Sequence, residues 1–372
     1  MKAGRTPQEL ATEIQRQMEG KKDFIAPTKQ IRVIVPEQSD EVLLALGTNE
    51  RPANGNAFHL NELAHGQLSE LTGIPKVYYD RCKREAPQLF SQNVNNWLRQ
   101  LADDSKHGQR MIRTLDGNVR AILSDSYRPL ENFDLANAVL PVLQEQNLFI
   151  ASCEVTERRL YIKAFDKGIE REIAIKGSDP AHTFLKDVVF PSITISNSEV
   201  GFGALSIAAG IYTGGCTNFA SSSDSRMRKY HVGSKAGSTE EVYALLSDQT
   251  KRLTDAAIWS QVCDVVKSAF EIAQFEKLVS RVQETSTQKI EGDVVKAVNL
   301  TSERFGFSKE EGNSILKHLI EGGDLSRYGM FNAVTRTAED IPDYDRATEF
   351  ERAGGRVIEL AHNEWEQIAR AA

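Results

Sequence analysis

The spacing of apolar residues changes twice along the chain and divides it into three parts. Residues 1–105 carry mainly helical spacing, which begins with a capping-box pattern in residues 6–19 and returns over 58–101. One strand is predicted in this part, at residues 31–35, where Pro follows a β-branched run. Trp97 is expected to lie in the core of this part.

Residues 106–237 switch to the two-residue alternation of strands. Asp116-Gly117 is a strong signal for a two-residue turn, so a β-hairpin is predicted over residues 110–127. The expected elements that follow are a helix at 131–147, strands at 148–155, 159–165 and 170–175, two or three strands within 187–219 joined at 197–203, and a polar loop at 221–225.

From residue 238 onward the apolar spacing is helical again. The predicted fold class is α+β: a mostly antiparallel sheet with flanking helices and a helical C-terminal third. The connections between strands are too short for repeated βαβ units, which argues against a doubly wound fold. The expected domains are a helical N-terminal region (1–105), an antiparallel sheet core (106–237) and a helical C-terminal region (238–372).

Charge narrows the possible partners. The 372 residues include 45 basic and 52 acidic side chains, a net charge of −7, which argues against a wholly electrostatic, histone-like DNA binder. The acidic excess lies mainly in the last third, so the first two-thirds is near neutral and could present a basic face to a polyanion.

Cysteine usage and hydropathy indicate a compartment. The four cysteines are widely separated and form neither a disulfide framework nor a zinc signature. The N-terminus has no apolar segment of a secretory signal, and no run of about 18 apolar residues predicts a membrane-spanning helix. We expect a reduced cytoplasmic protein without a membrane partner. No motif predicts a metal or any other cofactor.

Two basic segments carry the clearest binding signal. Residues 226–231 follow a serine-rich stretch, and the predicted hairpin carries further arginines on both sides of its turn. Cationic groups bind phosphates and aromatic rings stack on bases, so two such patches on one sheet would form a groove for a nucleic-acid backbone. The candidate nucleic-acid-binding residues are Arg113, Arg120, Tyr127, Arg128, Arg226, Arg228, Lys229, Tyr230 and His231.

Four strings resemble those of a known family. They are SDSYRPLENFDL (124–135), ISNSEVGFGALSI (195–207), GGCTNF (214–219) and HVG (231–233). They are similar to motifs of the phage/plasmid-like proteins of unknown function, the domain of unknown function 932 family, although Phe219 stands where that family often has Gly. The resemblance implies an origin in a mobile element and supplies no reaction.

The leading hypothesis is a nucleic-acid-binding protein of a phage, plasmid or integrated element. It would bind single-stranded DNA as a homo-oligomer and act in recombination, replication or protection of the element. Two alternatives stay open, and with them the question of enzymatic activity. One is a metal-dependent enzyme acting on nucleic acid through Glu199, Cys216, Asn218 and His231; the other is a non-catalytic inhibitor of a host protein.

Overall fold

The computed structural model describes residues 1–36, 39–47, 57–103, 108–175, 185–214, 218–229 and 248–371, with the backbone alone for residues 174–175, 185–186, 218, 221–229 and 248–252. Tyr230, His231, Cys216 and the start of the last predicted domain at residue 238 lie outside the described residues.

The described part of residues 1–124 builds a six-stranded sheet and four α-helices. Helix α1 begins with the predicted capping box, in which Thr6 and Glu9 satisfy each other's backbone N–H groups. The elements, in chain order, are α1 (Pro7–Gly20), β1 (Lys21–Pro27), β2 (Ile31–Ile34), β3 (Leu43–Leu46), β4 (Ala57–Leu60), α2 (Glu62–Thr72), α3 (Lys76–Glu85), α4 (Pro87–Leu101), β5 (Gln109–Leu115) and β6 (Asn118–Ser124).

The first sheet has the strand order β1-β5-β6-β4-β3-β2. Its pairs are antiparallel except β4 with β6, which is parallel. The predicted hairpin is confirmed as β5–β6, and Asp116 and Gly117 both have positive φ angles, 52° and 79°, as a tight two-residue turn requires. Since β1 and β4 pair with this hairpin, and β3 and β2 extend the sheet beyond β4, the sheet draws strands from both sides of residue 105.

Helices α2 to α4 cover this sheet and enclose its core. Phe90, Val94 and Leu98 lie on the buried face of α4, four positions apart. Trp97 is 43% exposed, so the prediction that it lies in the core is wrong. The stripe of Phe90, Val94 and Leu98 already fills the narrow contact with the sheet, and Trp97 falls outside it.

A second six-stranded sheet follows one helix. Its main path runs β12-β11-β10-β8-β7, with β9 paired to β10, and all these pairs are antiparallel. The predicted polar loop at 221–225 is wrong, because these residues continue β12 and pair with β11 across an irregular register. The elements are α5 (Asn132–Glu145), β7 (Phe149–Val155), β8 (Leu160–Phe165), β9 (Arg171–Ile175), β10 (Leu185–Asn197), β11 (Leu205–Thr213) and β12 (Asn218–Lys229).

The last third is helical, as predicted, and the α+β fold class is confirmed. One face of the second sheet packs on α1, α5 and the first of these helices, and the helices beyond it share a core with the other side of the sheet. No helix of the described residues is long and apolar enough to span a membrane. The helices are α6 (Asp248–Ser268), α7 (Ile272–Thr285), α8 (Val294–Phe305), α9 (Lys309–Gly322), α10 (Arg327–Asp340), α11 (Tyr344–Glu359) and α12 (His362–Ala369).

Buried charge fixes α11 on the second sheet. Lys163 and Glu351 are both fully buried, and the Lys163 ammonium lies 2.6 Å from the Glu351 carboxylate. The same ammonium donates to Thr348 Oγ1 at 3.2 Å. Burial lowers the pKa of Lys163, and Glu351 opposes that shift. Since removal of either partner would leave the other charge uncompensated, this pair specifies where the helix docks.

A buried histidine in the first core gives a testable pH dependence. His65 Nδ1 lies 2.8 Å from Tyr79 Oη, and burial lowers the pKa of His65 to about 4. The unfolded chain takes up this proton near pH 6.5. Stability from this group is therefore complete above pH 6.5 and declines as the pH falls towards 4. We expect wild type to lose about 3 kcal/mol more than His65→Gln between pH 7 and pH 4, measured by urea unfolding. Equal losses in the two proteins would contradict this account.

Candidate functional site

The Glu199 carboxylate lies between the two sheets and is 2% exposed. Its Oε1 accepts hydrogen bonds from Lys21 Nζ at 2.8 Å and from the Asn132 backbone N–H at 2.6 Å. Its Oε2 accepts one from Arg120 Nη2 at 2.8 Å. Burial works against the charged form, but Arg120 and Lys21 outweigh it and hold the pKa of Glu199 well below its usual range. Glu199 is therefore an anion in the interior.

A second carboxylate, Glu131, shares the same lysine. Its Oε2 lies 2.6 Å from Lys21 Nζ, and its Oε1 accepts a hydrogen bond from Arg113 Nη2 at 2.5 Å. Burial, and next the charge of Glu199, raise the pKa of Glu131 above its usual range. The pKa values of the two glutamates at this ammonium group are thus shifted in opposite directions, which is common when like charges share a site.

Arg113 connects these groups to the backbone of the site. It is 1% exposed, and its guanidinium donates to Asp23 Oδ1 at 3.0 Å, to the Glu199 carbonyl at 2.8 Å and to Glu131. Burial opposes its charge, and Glu131 and Asp23 more than offset that and raise the pKa of Arg113. We call the group the ionic network; it consists of Lys21, Asp23, Arg113, Arg120, Glu131 and Glu199.

The two longest strings of the family resemblance bind each other directly at this network. Asn197 Nδ2 donates to the Leu130 carbonyl at 2.7 Å and to Asn132 Oδ1 at 2.8 Å. Tyr127 Oη donates to the Ser198 carbonyl at 3.0 Å. The tyrosine and asparagines of these strings therefore hold the start of α5 against the end of β10. Sequence reasoning treated the strings separately and missed this contact.

The network supports the loop between β10 and β11, residues 198–204. Ser198 Oγ donates to the Arg158 carbonyl at 2.8 Å and accepts from the Phe202 backbone N–H at 3.0 Å. Gly203 has a φ of 141°, and a Cβ there would lie 1.9 Å from the Arg159 guanidinium. A glycine is favoured at this position by the backbone conformation, and any side chain there would also displace the Arg159 guanidinium.

The loop carries an exposed aromatic ring with two arginines over it. The guanidinium carbons of Arg158 and Arg159 lie 4.9 and 5.7 Å from the centre of the Phe202 ring, which is 39% exposed. Arg159 Nη2 also donates to the Phe202 carbonyl at 2.6 Å. We call these three residues the cation–aromatic tip. None of them was a candidate from the sequence, because 43 positions separate Arg159 from Phe202.

Strand register brings the predicted basic run to this same end of the second sheet. In the β11–β12 pair, Lys229 lies opposite Leu205 and Arg228 opposite Ser206. Leu205 is three residues beyond Phe202, and Arg226 lies on the same strand, two residues from Arg228. The main chain of the run therefore ends at the same end of the sheet as the cation–aromatic tip, and β12 is an edge strand of the sheet as described.

Of the other candidate residues, Arg113 and Arg120 lie in the first sheet, and Tyr127 and Arg128 follow its last strand. The hairpin belongs to the first sheet and β12 to the second, so the prediction that both basic patches share one sheet is wrong. The hairpin pairs instead with β1 and β4, which were not expected to join it. The structure brings Arg113, Arg120 and Tyr127 together around residues 198–199, while Arg128 pairs with Asp255 on α6. Their part in nucleic-acid binding stays a prediction.

The enzyme alternative also stays a prediction. Both Glu199 oxygens are occupied by Lys21, Asn132 and Arg120, while Cys216 and His231 lie outside the described residues. Within the described ranges, no group of three or more His, Cys, Asp or Glu side chains is arranged to hold a metal ion.

Comparison of the chain with models of protein families, with curated proteins and with solved structures gives no match.

Removing one cation from the network should be costly. We expect Arg113→Met to lower the free energy of unfolding by about 3–5 kcal/mol, because the Glu199 carbonyl would lose its Arg113 donor and Glu131 would keep only Lys21 to balance its charge. Urea denaturation measures the change. Arg81→Met on α3, where the side chain is 73% exposed, is the matched control and should change stability by less than about 0.5 kcal/mol. A loss below about 1 kcal/mol for Arg113→Met would show that the network is not a major support of the fold.

Proposed function

We propose that the protein binds single-stranded nucleic acid, in the first place DNA, at the end of the second sheet where the cation–aromatic tip adjoins the basic strand end. The observation that carries this proposal is the strand register, which sets Arg228 and Lys229 beside the start of β11, just after Phe202. We further propose, from the resemblance of four short strings to motifs of phage and plasmid-like proteins, that it acts in the cytoplasm in recombination, replication or protection of a mobile element.

The chemistry of this sheet end suits a phosphate backbone with unpaired bases. Arginine and lysine neutralise phosphates, and arginine binds them with two parallel hydrogen bonds. An exposed ring such as Phe202 stacks on any base, and stacking needs a base that is free of its duplex partner. The guanidinium groups of Arg158 and Arg159 lie over the Phe202 ring. They would therefore place positive charge for phosphate binding close to a base that stacks on the ring.

The ionic network has an indirect part in this proposal. The Arg113 guanidinium donates hydrogen bonds to Glu131 and to the Glu199 carbonyl, and Arg120 donates to the Glu199 carboxylate. In this arrangement, the two arginines do not contact phosphate directly. They fix the backbone at Glu199, three positions before Phe202. A loop fixed before binding loses little conformational freedom when DNA arrives, and the affinity rises accordingly.

The net charge of −7 is compatible with such a site, because the acidic excess lies mainly in the helical last third. That third carries exposed apolar side chains, including Leu253 on α6 and Ile320 on α9. We also propose that copies of the chain associate into a homo-oligomer, which light scattering with and without DNA would measure.

Salt dependence and charge reversal test the phosphate contacts. The logarithm of affinity for a single strand should fall linearly with the logarithm of salt concentration, with a slope of about −0.7 for each phosphate neutralised. The double variant Arg226→Glu, Arg228→Glu should lose affinity and flatten this slope by about 1.4. Fluorescence anisotropy at several salt concentrations measures both.

The control is Arg81→Glu with Arg84→Glu on α3, which changes the net charge equally at side chains that are 73% and 69% exposed. It should keep both the affinity and the slope of wild type to within about two-fold, because a distant charge is screened. Unchanged binding by the Arg226, Arg228 variant, or equal losses in both variants, would refute a phosphate site on β12.

Stacking is tested separately at Phe202. We expect Phe202→Ala to weaken single-strand binding by about 5- to 150-fold with the salt slope unchanged, because one stacked base is worth about 1–3 kcal/mol and involves no counterion. Phe202→Tyr keeps a ring and should bind within about two-fold of wild type. Wild type, Phe202→Ala and Phe202→Tyr should bind duplex DNA of equal length with the same affinity. A Phe202→Ala protein that binds single strands normally would remove the ring from the site.

A further inference from the structure

A cleft of about 380 Å³ lies where the first sheet meets the turn between β7 and β8. This volume is within the range of small-molecule sites. Glu157 lines the cleft and is the chain neighbour of Arg158, which belongs to the tip. The cleft is lined by Gln17, Leu60, Asn61, Leu115, Asp116, Asn118, Val119, Arg120, Val155, Thr156 and Glu157.

The walls combine apolar surface with side-chain amides. Leu60, Leu115 and Val155 contribute apolar lining, and three amides, including Asn61 and Asn118, lie among them. A ligand of matching chemistry has apolar faces and an edge of hydrogen-bond donors and acceptors, as a nucleobase does.

The charges of the cleft disfavour phosphate. Arg120 contributes the single cation of this lining, and its Nη2 is bound to Glu199. Asp116 is held by Arg16 Nη1 at 2.5 Å. Glu157 accepts one long hydrogen bond, 3.4 Å, from Asn61 Nδ2. The cleft therefore offers a carboxylate and amides, and these recognise amino groups on a base edge.

We propose that the cleft binds one nucleobase that carries an exocyclic amino group, as adenine and cytosine do and thymine does not. In this proposal, which rests on the proposed function, the base belongs to a nucleotide next to the one stacked on Phe202. Glu157 accepts a hydrogen bond from the amino group, and Asn118 contributes its amide to the same edge. The protein would then bind single strands of any sequence, but it would prefer strands that contain adenine or cytosine.

The first experiment compares oligo-dC and oligo-dA with oligo-dT of equal length at one salt concentration, using the full chain and fluorescence anisotropy. Wild type should bind the amino-bearing runs at least about 5-fold more tightly, since one specific base contact discriminates by that much or more. Glu157→Ala should reduce this preference to within about two-fold and leave oligo-dT binding and the salt slope unchanged. Asn118→Leu should act in the same direction, and Glu303→Ala, an exposed carboxylate on α8, should change nothing.

A second experiment separates this proposal from the DNA proposal. Free adenosine, cytidine and thymidine are titrated into the full chain and followed by ligand-detected NMR. Saturable binding of adenosine and cytidine that Glu157→Ala abolishes would support the cleft even if no DNA binding is found. Equal binding of all three oligonucleotides, or absence of nucleoside binding to wild type, would overturn the proposal while leaving a salt-sensitive DNA site intact.

Discussion

The neutralisation of one buried carboxylate, Glu199, constrains most of the fold. A charged group without partners in the interior would cost several kcal/mol, so its donors must come to it. Lys21 comes from β1, Arg120 from β6 and the Asn132 N–H from the start of α5. The two sheets and the connecting helix are thereby fixed at one point. Hydrophobic packing alone is not directional and would allow small displacements at that point.

Features that depend on neighbouring residues could be predicted from the sequence. The Asp116-Gly117 turn, the helix after residue 131 and the helical last third each follow from a few adjacent positions. The strand at residues 31–35 and the hairpin of the first sheet were predicted, but β3 and β4 were not, because each is only four residues long and β4 joins the hairpin through a parallel pair between distant strands. Trp97 was misplaced because helical spacing shows which residues share a face but not how wide the buried face is.

The candidate site shows the same limit for chemistry. Arginines beside a turn suggest phosphate binding as long as the groups that they bind in the fold are unknown. Arg113 and Arg120 bind Glu199, which lies 86 and 79 positions away in the sequence, so the sequence pattern does not show this contact. The basic run of β12 is the part of the candidate interface that could be recognised from the sequence, since its charged residues lie close together along the chain. The aromatic ring and the arginines that lie over it come from different strand connections, and tertiary structure alone brings them together.

The sequence separation between residues that pair through buried charges also affects folding kinetics. Lys21 and Glu199 are 178 positions apart, and Lys163 donates to a side chain 185 positions away. Contacts of such separation close long loops and form only after the local hairpins and helices exist. Interactions that form after the transition state slow unfolding and leave the folding rate almost unchanged. The buried charges therefore prolong the lifetime of the folded protein more than they hasten its formation.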